Sequence, residues 1–457
     1  MDPLSSLDAS FLYIENEFNH MHVAVVALFE GPPPQGEEVE EMIASKLHRV
    51  PRYRQKVRFV PFDIGRPVWS DDHHFNLKYH IRHTALPAPG SDEQLRTLVG
   101  RVMSQQLDRA HPLWEIWVVE GMEDGRWAIL TKTHHCMVDG VSGSDLLSVL
   151  LDDAPESEHP PSKDWEPEMR PSGRELLLNS LADGLRAPRE SFRTMIDTLR
   201  SPGRALHGLA DLTDGLSTFR TLAKDELESS LNGPIGPHRR WDWANTTISD
   251  VMKIRAAHGG TINDVVLCTI SQGFRALMLS RGEPVKGLNV RTLVPVSVRR
   301  EDERGMLNNR VSAMFADLPM DFEDPVDCLK SIRGEMVNLK KHHQSTAADT
   351  LNSITGFAPP ALLALGARVF AGLEQHSVQT VTTNVPGPKQ TLYVSGRQML
   401  TAYPYVPLAG SVRIGIAIFS YGGFLTFGIT GDYETAPDID VLASGIEEAI
   451  SELLARS

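Results

Sequence analysis

His134-His135-Cys136-Met137-Val138-Asp139-Gly140 lies where one kind of backbone gives way to another. Residues 127–133 before it alternate as a strand does, and residues 141–147 after it read as the start of a helix. A strand handing over to a helix brings side chains to the rim of a sheet, where clefts form. A neutral imidazole is the side chain best matched to taking a proton near neutral pH. Gly140 after Asp139 permits a tight, left-handed turn. The doublet alone is not the signal. Among seventeen histidines the chain holds two further pairs, His73-His74 and His342-His343, and neither is followed by Asp-Gly at this spacing. The plain alternative is a polar loop around one buried, satisfied histidine. A metal site is disfavoured, because adjacent residues on a strand point to opposite faces and His134 and His135 would not share an ion. No His-Glu-x-x-His or Cys-x-x-Cys supplies missing ligands, and Asp71-Asp72-His73-His74, the other dense cluster, reads as a solvated loop.

Composition bounds the rest. The 457 residues allow two or three domains, and 41% apolar with 23% charged residues describes a globular chain with a large core. A net charge of −14 argues against general nucleic-acid binding. Local basic pockets remain open at Arg239-Arg240, Arg299-Arg300 and Lys340-Lys341, each equally readable as solvated surface. Three cysteines without paired spacing imply a reducing, cytoplasmic setting and no disulfide framework. Cys136 could serve as a thiol nucleophile, but it reads better as a small packing residue whose side chain diverges from that of His135. The first residues do not form a secretory signal. No membrane-spanning helix is expected: residues 412–430 contain Arg413 and break at Tyr421-Gly422-Gly423, as two buried strands would.

Along the chain, residues 11–13 and 21–29 predict a first core strand and residues 37–50 a helix. Residues 69–86 predict a loop and a strand alternating through Leu77, Tyr79 and Ile81. Residues 92–107 predict an amphipathic helix capped by Ser91, and residues 114–120 a strand. Residues 1–155 thus form one α/β unit. Residues 156–237 form a linker and helical crossover. Within it, residues 174–222 interleave leucines with arginines, either as a solvated basic face or as a surface for anionic lipid, the first being favoured. Residues 238–457 form a second unit. Its strands are expected near 241–248, 288–298, 311–318, 378–383, 393–399 and in the 412–430 pair, its helices near 261–279, 327–341, 360–373 and 438–455. Two sandwiched α/β lobes with a cleft fit better than a doubly wound sheet, since no Gly-x-Gly-x-x-Gly or P-loop is present.

The ordered set of motifs resembles the bacterial wax ester synthase/acyl-CoA:diacylglycerol acyltransferase family. It comprises the heptad preceded by Pro112-Leu113-Trp114-Glu115, the opening Leu4-Ser5-Ser6-Leu7-Asp8-Ala9-Ser10-Phe11-Leu12 with Met21-His22-Val23, then Asn263-Asp264, Leu293-Val294-Pro295-Val296-Ser297-Val298-Arg299 and Asn384-Val385-Pro386-Gly387-Pro388. The likeness spans nearly the whole chain. The heptad alone is shared with condensation domains of peptide synthetases.

The resemblance implies a CoA-dependent acyltransferase fold: two mixed α/β lobes with a central tunnel and a helical crossover. It implies acyl transfer from acyl-CoA, as co-substrate, to diacylglycerol or a fatty alcohol, with no resident cofactor or metal. It implies that His135 is the catalytic base, that His134 supports it, and that Asp139, with Gly140, braces the loop, Arg299 being a candidate partner. Asn263 and Asp264 would help shape the site, although both suit a helix start equally well. Pro112, Leu113 and Trp114 would shape the substrate pocket, although Trp114 on an apolar strand also suits the core. Peripheral contact with the inner membrane or a lipid droplet belongs to the same expectation. Two other functions are compatible with the fold: a carrier-protein-dependent acyltransferase, and a non-catalytic lipid-coating protein, which the intact heptad speaks against.

Overall fold

The structure, a computed structural model, describes residues 2–35, 37–61, 64–138, 143–160, 165–169, 172–178, 229–297, 311–343 and 377–457. Its strands are β1 (His22–Phe29), β2 (Gln55–Arg58), β3 (Val68–Asp71), β4 (Ile81–Ala85), β5 (Trp114–Glu120), β6 (Trp127–His134) and β7 (Arg239–Thr247). They continue with β8 (Asn289–Ser297), β9 (Val311–Pro319), β10 (Thr380–Pro386), β11 (Tyr393–Val394), β12 (Arg397–Tyr405), β13 (Ile414–Tyr421) and β14 (Phe424–Asp432). The longer helices are α1 (Ser6–Ile14), α2 (Glu38–Lys46), α3 (Asp92–Met103) and α4 (Gly143–Leu150), then α5 (Ile248–His258), α6 (Ile262–Ser280), α7 (Pro325–His343) and α8 (Ile439–Ala455).

Two mixed six-stranded sheets result, one ordered β11-β12-β1-β6-β5-β4 and the other β7-β14-β13-β10-β8-β9. The first is antiparallel except for β4 beside β5, and in the second β10 runs parallel to both β8 and β13. Each sheet buries one face under its own helices. The first covers α2 and α4 with Phe29, Met42, Trp127 and Leu147, and the second covers α6 and α8 with Phe274, Ile416, Phe427 and Ile446. A third apolar layer lies between the sheets, where Val26, Leu130 and the α3 residues Leu95 and Val99 meet Trp241, Trp243 and Tyr403. Arg96 on α3 crosses this layer: its Nη1 is 2.7 Å from Asp242 Oδ1 and its guanidinium lies 4.6 Å from the Trp243 ring. At Gly428 on β14 a Cβ would sit 1.6 Å from the Pro404 carbonyl oxygen of β12, so only glycine lets the sheets approach this closely.

Several expectations are corrected. Residues 11–13 are not strand; they lie in α1, where Ser5 caps the helix by accepting the Asp8 N–H at 3.1 Å. Leu77 and Tyr79 lie in a single helical turn, Leu77–His80, started by Asn76 accepting the Lys78 N–H. The strand expected over 393–399 is a tight hairpin, because Ser395 and Gly396 both take positive φ, 46° and 85°. β11 and β12, although they follow residue 238, belong to the first sheet, where β12 pairs with β1 through Ala24↔Tyr405 and Val26↔Tyr403. The helix expected over 360–373 lies outside the described residues, as does most of 174–222. Among the described residues no helix is long and apolar enough to cross a membrane.

Candidate active site

The heptad begins at the last residue of β6. His134 pairs with His22 across β1 and donates its N–H to the Leu113 carbonyl at 2.9 Å. The chain then turns through the 3-10 segment His135–Met137. The His135 N–H is held by the Met21 carbonyl at 2.8 Å. As strand geometry requires, the two imidazoles go to different environments.

His134 is 0% exposed. Its Nδ1 accepts the Cys136 N–H at 3.1 Å, which places its proton on Nε2. That Nε2 points at Glu15, 3.5 Å from Oε2, a distance too long for a full hydrogen bond but close enough for an electrostatic contact. His135 is half-buried, its ring 4.0 Å from that of Phe11 on α1. Burial first, and the neighbouring His134 second, push its pKa down to about 4. Its ring is therefore neutral at pH 7 and able to accept a proton. Cys136 is fully buried and its thiol is driven well above its usual pKa by that burial, so it stays protonated and is no nucleophile.

Beside His134 lies a buried polar cluster that local sequence pattern does not reveal. The Glu15 side chain is 3% exposed; Oε1 lies 3.2 Å from His22 Nε2 and Oε2 2.8 Å from Arg109 Nη2. Burial alone would raise the Glu15 pKa, but the two histidines outweigh it and hold the carboxyl well below the usual range. His22 itself is pushed to about 3, chiefly by burial. Lys132, two residues before His134 on the same face, is 1% exposed and donates to the Val102 carbonyl at 2.9 Å and to the Gln105 carbonyl, closing the last turn of α3. Burial lowers its pKa to about 8. The Met21-His22 pair within the family-like opening was the one sequence signal for this cluster; Glu15 gave none.

The other expected site residues divide. Asp139, Gly140 and Arg299 lie outside the described residues. Pro112, Leu113 and Trp114 are all buried. Trp114 stacks on His80 at 4.4 Å and donates its Nε1–H to the Tyr53 carbonyl at 2.8 Å, so it stands in the core behind β6. Asp264 forms a capping box with Thr261: its backbone N–H is accepted by Thr261 Oγ1 at 3.2 Å and its Oδ2 accepts the Thr261 N–H at 2.7 Å. Asn263 is half-buried in the first turn of α6, and among the described residues no hydrogen bond joins it or Asp264 to the heptad. Arg239 is not a solvated cation; it is 3% exposed and donates to the Gly236 and His238 carbonyls and to the Phe18 carbonyl of the first lobe. In the 71–74 cluster, His73 and His74 are exposed as expected, but Asp72 is buried against Lys56 at 2.9 Å. No group of three ligand side chains able to hold a metal occurs among the described residues.

Two mixed sheets packed across a shared layer, with a strand-to-turn histidine at the end of a central strand of one, define the CoA-dependent acyltransferase class of fold. The solved structure of a wax ester synthase/diacylglycerol acyltransferase from Marinobacter aquaeolei has it too, with a TM-score of 0.68 at 24% identity over 99% of this chain and 98% of that one. So does the first condensation domain of the calcium-dependent antibiotic synthetase, with a TM-score of 0.56 at 12% identity over 99% and 96% of the two chains. The model of the wax ester synthase/diacylglycerol acyltransferase catalytic domain matches residues 4–266, and that of the family's C-terminal domain matches residues 307–454. The "Probable diacyglycerol O-acyltransferase tgs1" of Mycobacterium tuberculosis is 36% identical over all of this chain and 96% of its own length. The chain belongs to the wax ester synthase/diacylglycerol acyltransferase family, and it is an acyltransferase.

Proposed function

We propose that this protein moves a long-chain acyl group from acyl-CoA to diacylglycerol, a fatty alcohol or both, with His135 as the general base. The observation that supports His135 over its neighbour is the contrast in engagement. His134 is sealed from solvent with Nδ1 occupied, whereas His135 is only half-buried and its ring neutral while its backbone N–H is pinned. Only a ring that reaches substrate can take its proton.

A thioester is already activated, so no covalent enzyme intermediate is needed. The alcohol oxygen attacks the thioester carbonyl as its proton passes to His135. The tetrahedral intermediate then expels CoA thiolate, the C–S bond breaks, and His135 returns the proton to sulfur. Holding both substrates against one base turns a two-body encounter into a nearly unimolecular step. In this reading Asp139, Gly140 and Arg299 brace the turn, Asn263 and Asp264 contribute from the start of α6, and Pro112, Leu113 and Trp114 set the pocket from behind β6. No resident cofactor takes part. The division into lobes at 1–155 and 238–457 joined by 156–237, with β11 and β12 of the later stretch completing the first sheet, a cytoplasmic location, and peripheral contact with a membrane or lipid droplet that delivers the alcohol belong to the same proposal.

The test is CoA release by the purified protein given one acyl-CoA and, in parallel, a diacylglycerol or hexadecanol. Release with at least one alcohol, abolished by His135→Ala, is expected. No release with either alcohol defeats the substrate assignment, and undiminished turnover by the alanine variant defeats the assignment of the base.

A further inference from the structure

Glu15 is a carboxylate buried where a surface residue would be expected, at the C-cap of α1, and its described contacts lead toward the heptad. Oε1 accepts the Met21 N–H at 3.3 Å and faces His22. Oε2 accepts from Arg109 Nε at 3.2 Å and Nη2 at 2.8 Å and faces His134 Nε2. Removing a carboxylate from water costs several kcal/mol unless partners offset it, and here the partners have been assembled from α1, β1, β6 and the segment after α3.

We propose that Glu15 is the positioning residue of the catalytic turn, holding the backbone on both flanks of His135 and fixing the tautomer of His134. The proposal rests on the reading of His135 as base. One route runs through Met21, whose N–H binds Glu15 and whose carbonyl accepts the His135 N–H. The other runs through His134, whose Nε2 faces Glu15 and whose Nδ1 accepts the Cys136 N–H. The carboxylate favours the proton on Nε2. Were the proton to move to Nδ1, two donors would face each other at Cys136 and the turn would open. A third link is α1 itself, which ends in Glu15 and carries the Phe11 ring against His135. The chain just beyond Glu15 is gripped by the second half of the molecule: Arg239 donates to the Phe18 carbonyl, and the Gly410 N–H donates to Asn19 Oδ1 at 3.1 Å. The placement of the second sheet is thereby transmitted to the base.

Glu15→Gln keeps the shape and removes the charge, so its amide NH2 must face a cluster of donors. The expected result is a kcat lowered by ~10–100-fold, the range typical of partners that orient a functional imidazole, with the KM for acyl-CoA within about threefold. Long-range 15N spectra of histidine-labelled protein should show His134 losing its Nε2–H form, and Glu15→Asp should restore part of kcat. If Glu15→Gln does not fold, Glu15→Asp alone carries the test: it draws the charge back from His134 Nε2, so a smaller fall in kcat and a partial loss of the Nε2–H form are expected. A kcat within twofold of the parent, or a lowered kcat with the His134 tautomer unchanged, overturns the proposal. The spectrum is read on resting protein, so it remains decisive even if His135→Ala proves active and the base has to be sought elsewhere.

Discussion

The loop after β3 and the end of β6 each present a histidine doublet, and the surroundings differ in nearly every respect. His73 and His74 are exposed, and their nearest ordered anchor is Asp72, which accepts the His74 N–H at 3.2 Å and is itself tied to Lys56. At β6 one ring is sealed against a buried carboxylate, the other leans on Phe11, and both backbone N–H groups are taken up by neighbouring segments. The lesson is that adjacency of imidazoles carries no function. What distinguishes the second pair is a strand that ends against another strand, so that successive side chains are forced into two compartments.

The sharpest way to break this comparison is His135→Ala. Loss of a positioned base should lower kcat by ~10²–10⁴-fold while the thermal midpoint stays near that of the parent, as followed by CoA release and circular dichroism. The pH profile sharpens it. The ring must be neutral to act, and its pKa lies near 4, so activity should hold through pH 6 and decline only as the pH approaches that value.

A smaller effect is expected from His134→Ala, which leaves the Cys136 N–H and Glu15 short of a partner. Denaturant unfolding should show a loss of ~1–3 kcal/mol together with slower turnover. Stability should also depend on acidity in a defined direction. His22, His80 and His135 have folded pKa values of about 3, 4 and 4, each below the ordinary 6.5, with burial the first cause in every case. The unfolded chain therefore binds protons first, and the stability these groups contribute is complete above pH 6.5 and lost as pH falls toward 4. Glu15, held below its ordinary 4.5, changes stability in the same direction but only as the pH falls below that value. The thermal midpoint measured from pH 7 to pH 4 should fall, and less steeply in His22→Asn. At the small end, His73→Ala and His74→Ala should each change stability by no more than ~0.5 kcal/mol and leave turnover within twofold.

The strands around the heptad were legible because their apolar residues alternate over enough length: 114–120 matches β5, and 127–133 falls one residue short of β6. The break at Gly422-Gly423 was legible because both glycines take positive φ between two apolar runs. Phe11-Leu12-Tyr13 misled because three adjacent apolar residues suit a buried strand as well as a helix, and the Ser5 cap that decides the matter lies upstream. The hairpin at Ser395-Gly396 was hidden because serine is an uncommon residue at positive φ. Glu15 was out of reach for a different reason. In sequence it stands in a polar run, Glu15-Asn16-Glu17, that looks like any exposed loop. Its partners His134 and Arg109 come to it only through the pairing of β1 with β6 and the path of the chain after α3, neither of which local pattern encodes.

The pairing of β12 with β1 also sets a schedule for biosynthesis. The segment 22–29 leaves the ribosome early, while its neighbour at 397–405 is made only after most of the polypeptide exists. At ordinary elongation rates that interval is on the order of tens of seconds. Throughout it an apolar strand has at least one unpaired edge, two until residues 127–134 are made, which invites contact with other nascent chains. Co-translational maturation of the amino-terminal sheet must then wait for the carboxy-terminal quarter, and a product truncated before residue 393 would be a candidate for chaperone capture.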